Sequence, residues 1–161
     1  MLYRLLSHPE HIESLRKEVE TAMAEEGWTK TGMEKMHKID SFIRETLRID
    51  GQSISSLDPF PSIQLRTVDV WCTYVLPVTT TRLALRPFTF SNGVTMPTGT
   101  LISLPTRATH KDELIYENPN EFDGFRFAKL RESEGDVVAS RHQLISASAK
   151  NLSWGLGRHS W

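Results

Sequence analysis

The chain has 161 residues, 39% of them hydrophobic and 24% charged, with a formal net charge of −1. That length and balance suit one domain and exclude disorder throughout, and the near-neutral charge leaves no basic footprint for nucleic acid. A single cysteine, Cys72, excludes an internal disulfide and a multi-cysteine zinc site.

The opening MLYRLLSHPEH is apolar for only a few residues before His8 and Pro9. It is too short for a signal peptide or a membrane span, so the chain reads as soluble. Residues 7–27 read as a helix, with Ser7 as cap, Pro9 in the first turn, Glu10 completing a capping box and Gly27 as the stop. Ile12, Leu15, Val19 and Met23 form its apolar stripe. A second helix is expected over Thr31–Ile49, with Met36, Ile39, Ile43 and Leu47 at helical spacing and Phe42 beside them. Both stripes are expected to be core.

Residues 51–80 change character, with three prolines, few charges and no sustained period. A connection this long is unusual inside a compact domain. VDVWCTYVL has a strand's composition; the whole segment also reads as an insertion with no fixed place. From Thr81 the pattern is β-like. LALRPFTF and VTMP flank a turn at Asn92-Gly93, and GTLISLP follows as another strand. A short helix is expected within 105–117, an irregular loop over ENPNEFDGFRF and an exposed polar loop over 131–141.

Glu45 and Arg48 in FIRETLR lie three apart, so their side chains share one helix face. Alone, such a pair is ordinarily a solvated surface contact. Arg126 follows between Phe125 and Phe127, and then WGLGRH places Trp154, Gly155, Gly157 and Arg158 in a glycine-rich turn. Glycines there permit positive φ and close approach of the backbone to a ligand. The run lacks the third glycine of a dinucleotide fingerprint and the Lys-Ser/Thr of a phosphate loop, so both are rejected.

The ordered set is more specific than its members. Glu-X-X-Arg on a helix, an Arg-Pro-Phe strand and hairpin, Asp-Gly-Phe-Arg-Phe, and an aromatic-Gly-X-Gly-Arg-His terminus resemble cytochrome P-450 monooxygenases, in their order. HPEHIESLRKEV, EEGWTK and TRLALRPFTFSNG resemble the fungal, microsomal-type branch. The likeness runs over about Leu2–Asp50 and Thr81–Ser160. It implies a partial fold of that family, α+β and mainly helical with a small antiparallel sheet: the J and K helices, the hairpin, the meander and the start of the haem-binding loop.

The resemblance further implies a buried triad of Glu45, Arg48 and Arg126, with Arg158 on one haem propionate and Arg82 on the other. Trp154, Gly155 and Gly157 would line the cofactor. The family reaction is hydroxylation of a small apolar organic substrate with O2, fed by an NADPH-dependent flavoprotein reductase at the endoplasmic reticulum membrane. Residues just before Arg82 would lie where the family shapes its substrate pocket.

The chain departs from that pattern at three places. Trp161 stands at the position of the axial cysteine, and indole offers no lone pair to a metal. No metal ligand or catalytic residue is therefore expected to be retained, and the chain is expected to be inactive. His159 and Cys72 are weaker substitutes; Cys72 is more simply a small buried apolar residue. The anchor, the long oxygen-handling helix and the helix after the cysteine are expected to be missing. Apolar faces would then be left exposed, with haem covered on one side at best. Finally, 32 residues separate Arg48 from Thr81 where the family has a short connection, which reads as an in-frame retained intron. The alternative from another class is a non-enzymatic truncated product acting as a small interaction domain.

Overall fold

The computed structural model describes residues 1–50, 80–104, 106–134 and 140–157. In chain order the elements are α1 (Leu2–Ser7), a 3-10 turn at Pro9–His11, α2 (Ile12–Glu26), α3 (Lys30–Glu34) and α4 (His37–Asp50). Then come β1 (Thr80–Leu83), β2 (Phe88–Thr89), β3 (Thr95–Met96), β4 (Leu101–Leu104), α5 (Thr106–His110), α6 (Arg126–Glu134) and a 3-10 turn at Ser140–His142. The fold is α+β, with helices predominating over two small antiparallel ribbons. The strand considered within VDVWCTYVL, the insertion at 51–80 (up to residue 79) and Cys72 lie outside the described residues.

The helix expected over residues 7–27 is two. Pro9 has no N–H, and the residue before a proline is pushed out of the helical region; His8 sits at φ −131, ψ 64. Ser7 therefore closes α1, its hydroxyl donating to the carbonyl of Tyr3 at 2.9 Å, instead of capping α2. The start of α2 has no side-chain cap at all, while its end falls at Gly27 as expected.

The helix expected over 31–49 is also divided. Thr29 caps α3 by accepting from the N–H of Gly32 at 3.1 Å, and the chain turns at Lys35–Met36 before α4 begins. The cap of α4 comes from α2. The Glu18 carboxylate accepts from the N–H groups of Lys38 (2.8 Å) and Ile39 (3.0 Å), a negative charge at the positive end of the helix.

Burial on α4 overturns the expectation that its apolar stripe is core. Met36 and Phe42 are buried, but Ile39, Ile43 and Leu47 are only half-buried. Ile39, Phe42 and Ile43 line a shallow groove with Leu5, Ile12, Leu15 and Val19. The deeply buried positions are largely polar: Ser41, Arg44, Glu45, Thr46 and Arg48. Each requires a partner, because an unpaired polar group out of water costs free energy.

α6 supplies much of that partnering, and it corrects two expected loops. Arg126 and Phe127 belong to helix and not to the loop read over ENPNEFDGFRF. Residues 131–134 continue that helix, and Arg131 is buried against Asp40 of α4. Residues 135–139 lie outside the described residues. The helix can start here because Ser41 caps it from across the core. Its hydroxyl accepts from the N–H groups of Phe127 and Ala128, both at 3.1 Å, and donates to the carbonyl of Gly124 at 2.9 Å. Ser41→Ala strands two buried donors and an acceptor. It is expected to lower stability by about 1–3 kcal/mol, read as a shift in the urea midpoint.

Phe42, Phe122 and Phe125 gather with His8 and His11 where α2, α4 and the loop before α6 meet. His8 stacks on Phe122 at 4.6 Å, and His11 lies 4.7 Å from Phe125. Gly124 is wedged among them. A Cβ there would come within 2.5 Å of the His11 ring and 2.7 Å of Phe42, so close packing demands glycine.

The turn at Asn92-Gly93 and the strand at GTLISLP follow the sequence pattern, but LALRPFTF is divided, with Leu83 ending β1 and Phe88–Thr89 forming β2. β1 pairs with β4 from Thr80↔Leu104 to Leu83↔Leu101, and β2 with β3 through Phe88↔Met96 and Thr89↔Thr95. Gly93, at φ 85, lets the hairpin close. Its N–H donates to the carbonyl of Phe90, and Asn92 accepts from the N–H of Val94 at 3.1 Å. Leu85, Phe88, Phe90, Val94 and Leu101 are exposed along this part of the chain.

Candidate functional site

Glu45 and Arg48, one turn apart on α4, have fully buried side chains. Arg48 grips Glu45 with a two-pronged fork, Nε to Oε2 and Nη2 to Oε1, both at 2.7 Å. Its remaining donors reach the carbonyls of His110 (2.6 Å), Pro119 (2.8 Å) and Glu121 (3.3 Å). Arg126, at the start of α6, donates Nε to Glu45 Oε1 at 3.2 Å and reaches the carbonyls of Glu117, Asn118 and Glu121. The N–H of Asp123 adds a fourth bond to the Glu45 carboxylate, at 3.2 Å. Glu45, Arg48 and Arg126 thus converge, and between them they hold the backbone of 110–123. The guanidinium carbon of Arg48 also lies 4.9 Å from the centre of the Tyr116 ring. Burial raises the Tyr116 phenol above its ordinary pKa, and its hydroxyl donates to the carbonyl of Lys150 at 2.8 Å.

His110 extends this network toward the glycine turn, and nothing in the local sequence marked it. It is buried at the end of α5, with Nε2 accepting from the N–H of Leu152 at 3.0 Å. Accepting there places the proton of the neutral ring on Nδ1. Burial first, and the Arg48 charge second, push the imidazole down to about 4. Just beyond, Asn151 accepts from the N–H of Ser153 at 3.1 Å, so 151–153 enter the turn in a fixed course.

Trp154 commits its indole N–H to the carbonyl of Leu144 at 2.6 Å, leaving no free donor for a ligand. Gly155 and Gly157 follow at φ 79 and 77, a backbone course L side chains rarely adopt. A Cβ on Gly157 would meet nothing within 4 Å, so backbone is presented to open space. Arg82 is exposed on β1, opposite Ile102 of β4. Arg158, His159 and Trp161 lie outside the described residues. Among the described residues no group of three or more His, Cys, Asp or Glu is placed to hold a metal ion, and no helix is long and apolar enough to cross a membrane.

A charged network buried on one helix and a glycine turn tied to it by a histidine invite comparison with known proteins. The family model described as Cytochrome P450 matches residues 1–57 and 73–160. The chain belongs to the cytochrome P450 family. It is 37% identical over 159 residues to Cytochrome P450 monooxygenase 103 of Postia placenta, covering 99% of this chain and 27% of that protein. Cytochrome P450 monooxygenase ntnM of Nectria sp is 34% identical over 160 residues, covering 99% of this chain and 26% of that protein. Cytochrome P450 monooxygenase CYP512U6 of Ganoderma lucidum is 29% identical with the same coverage. These P450 relatives are fungal, and this chain spans about a quarter of their length. The family match breaks only at residues 58–72, inside the longer 51–80 segment that composition sets apart. The relatives are named monooxygenases, a class of oxidoreductase, and the family as a whole implies haem, O2 and a redox partner.

Proposed function

We propose that this P450 chain is the part of a haem-thiolate monooxygenase that carries the K-helix network and the approach to the haem-binding loop. In its whole form that enzyme hydroxylates a small apolar organic substrate, drawing electrons from NADPH through a flavoprotein reductase at the endoplasmic reticulum membrane. The observation that carries the reading is the continuous route from Glu45 and Arg48, through His110, to the Trp154–Gly157 turn. Bound haem supplies the iron at which oxygen is activated.

The chain's own residues fit that group only in part. The space where a Gly157 side chain would stand suits a flat ligand lying close, with Arg82 and Arg158 proposed for the two propionates. Trp161 does not fit the iron: an axial thiolate pushes electron density toward O–O cleavage, whereas an indole nitrogen only donates. The proposal is therefore that this chain carries out no thiolate chemistry, and no step through iron is assigned to it. Residues 51–80, and 58–72 above all, are proposed to be an in-frame insertion from a retained intron.

Two measurements test the reading. Purified chain mixed with haemin, reduced and exposed to CO, is expected to give no thiolate-type absorption band; such a band would overturn the inactivity. Sequencing the mature transcript across the codons for Arg48–Arg82 and Ser160–Trp161 is expected to find the insertion removed and a cysteine codon at 161. A transcript that encodes the chain unchanged favours the second reading, a non-enzymatic interaction domain. The exposed apolar side chains Leu85, Phe88, Phe90 and Val94 are the observation behind that alternative.

A further inference from the structure

α4 carries a second buried polar set, one turn nearer its start than the Glu45–Arg48 pair. Arg44 is 3% exposed. Its Nη1 donates to the carbonyls of Arg141, at 3.1 Å, and Gln143, and its guanidinium carbon lies 4.4 Å from the centre of the Phe127 ring. Asp40, a further turn back, accepts from the N–H of Leu144 at 2.9 Å and is ion-paired with Arg131 of α6. The same residue, Leu144, gives its carbonyl to the indole of Trp154. Residues 141–144 are thus held on one side by α4 and, through Leu144, bear directly on the residue that opens the glycine turn.

We propose that Arg44 is a positioning residue for the Trp154–Gly157 turn, acting with Asp40 through residues 141–144. The choice of arginine follows from what the site requires. One guanidinium nitrogen, Nη1, bonds both carbonyls while the delocalised group rests against the Phe127 ring; a lysine ammonium keeps the charge but lacks the flat guanidinium that stacks on an aromatic face. Among the described residues no carboxylate forms an ion pair with Arg44. Its Nη1 is met by carbonyls and its face by a ring, while Nε is buried without a hydrogen-bond partner, which ties the group to the course of the 141–143 backbone more than a simple ion pair would. The Asp40 carboxylate takes the N–H of the same 143–144 peptide whose carbonyl Arg44 holds, so the carbonyl that follows, that of Leu144, is directed at Trp154. Interpreting the turn as cofactor-facing rests on the proposed function; the coupling of Arg44 to Trp154 does not.

The test is hydrogen exchange by NMR on the 161-residue chain, reading the indole N–H of Trp154, assigned by its loss in Trp154→Phe. Trp28, 81% exposed, serves as the fast reference, and the Phe127 amide, bonded to Ser41, reports global stability. In the wild type the Trp154 indole is expected to exchange at least tenfold more slowly than that of Trp28. Arg44→Lys, which keeps the charge and stem, and Asp40→Asn are each expected to speed the Trp154 indole at least tenfold relative to the Phe127 amide and to shift its resonance. Lys129→Met, which removes only the exposed pair with Asp123, is expected to leave both unchanged. An unprotected Trp154 in the wild type overturns the proposal. So does an Arg44→Lys or Asp40→Asn chain in which the Trp154 indole and the Phe127 amide accelerate together, or neither does. No measurement contains haem, so failure of the haem reading leaves these outcomes as they stand.

Discussion

Glu45→Gln is expected to cost about 3–5 kcal/mol, enough to unfold a marginal chain at room temperature. The carboxylate accepts four hydrogen bonds from three residues, and among the described residues Arg48 has no other counter-charge in direct contact. Removing the negative charge leaves a guanidinium with zero side-chain exposure facing a neutral amide. The intact network is better described as selecting one arrangement than as adding net stability, because desolvating three charges opposes their attraction. Arg126→Gln is expected to cost less. Its side chain is 12% exposed, and the Glu45–Arg48 fork survives without it. Urea unfolding followed by circular dichroism checks both: the Glu45 variant should lose most of its transition, and the Arg126 variant should keep one at a lower midpoint. Equal midpoints would mean that Arg48 is neutralised by its carbonyl partners alone.

His110 sets the second large effect, an acid instability at a buried position. Its pKa is about 4 in the folded chain against an ordinary 6.5. Between those values the unfolded chain holds a proton that the folded chain refuses, so stability falls as pH falls through that window. The contribution is fully present above pH 6.5 and lost by pH 4, a difference of about 3 kcal/mol. The cause is structural: protonating Nε2 breaks its bond to the Leu152 N–H and places a cation beside Arg48. Arg44 also opposes the added charge, while Glu45 favours it more weakly. Asp40, raised mainly by burial, works in the opposite direction, since its protonation at low pH favours the folded state. The difference between wild type and His110→Asn isolates the histidine. The variant is expected to be less stable at pH 7.5 and nearly flat between pH 7 and 4.5, where the wild type declines. A variant declining as steeply as the wild type would assign the slope to other groups.

Where sequence and structure agree, the information is local. The Gly27 stop, the Asn92-Gly93 hairpin, the strand at GTLISLP and the meeting of Glu45 with Arg48 each depend on residues within one or two turns of each other. The motif order was enough to point to the family, because each motif is short and their order survives without knowledge of a single distance. Pro9 could also have been read as a break; instead, the capping box beside it suggested one continuous helix.

Where they part, the deciding partner is distant in the chain. Ser41 caps a helix beginning 85 residues later, and Glu18 caps α4 from α2, some 20 residues earlier in the chain. Asp40 and Arg44 take their partners from residues 131 and 141–144, and His110 takes its partner from Leu152. A polar side chain on a helical wheel looks solvated until its partner is known, which is why α4 appeared to turn its isoleucines inward when it buries a charged face. By itself, the sequence determined the Gly27 stop, the hairpin, the strand at GTLISLP and the likeness to the family. The tertiary structure alone decided which face of α4 is core and how the glycine turn is held, because burying charge is tolerated only where folding brings distant backbone groups within hydrogen-bond reach.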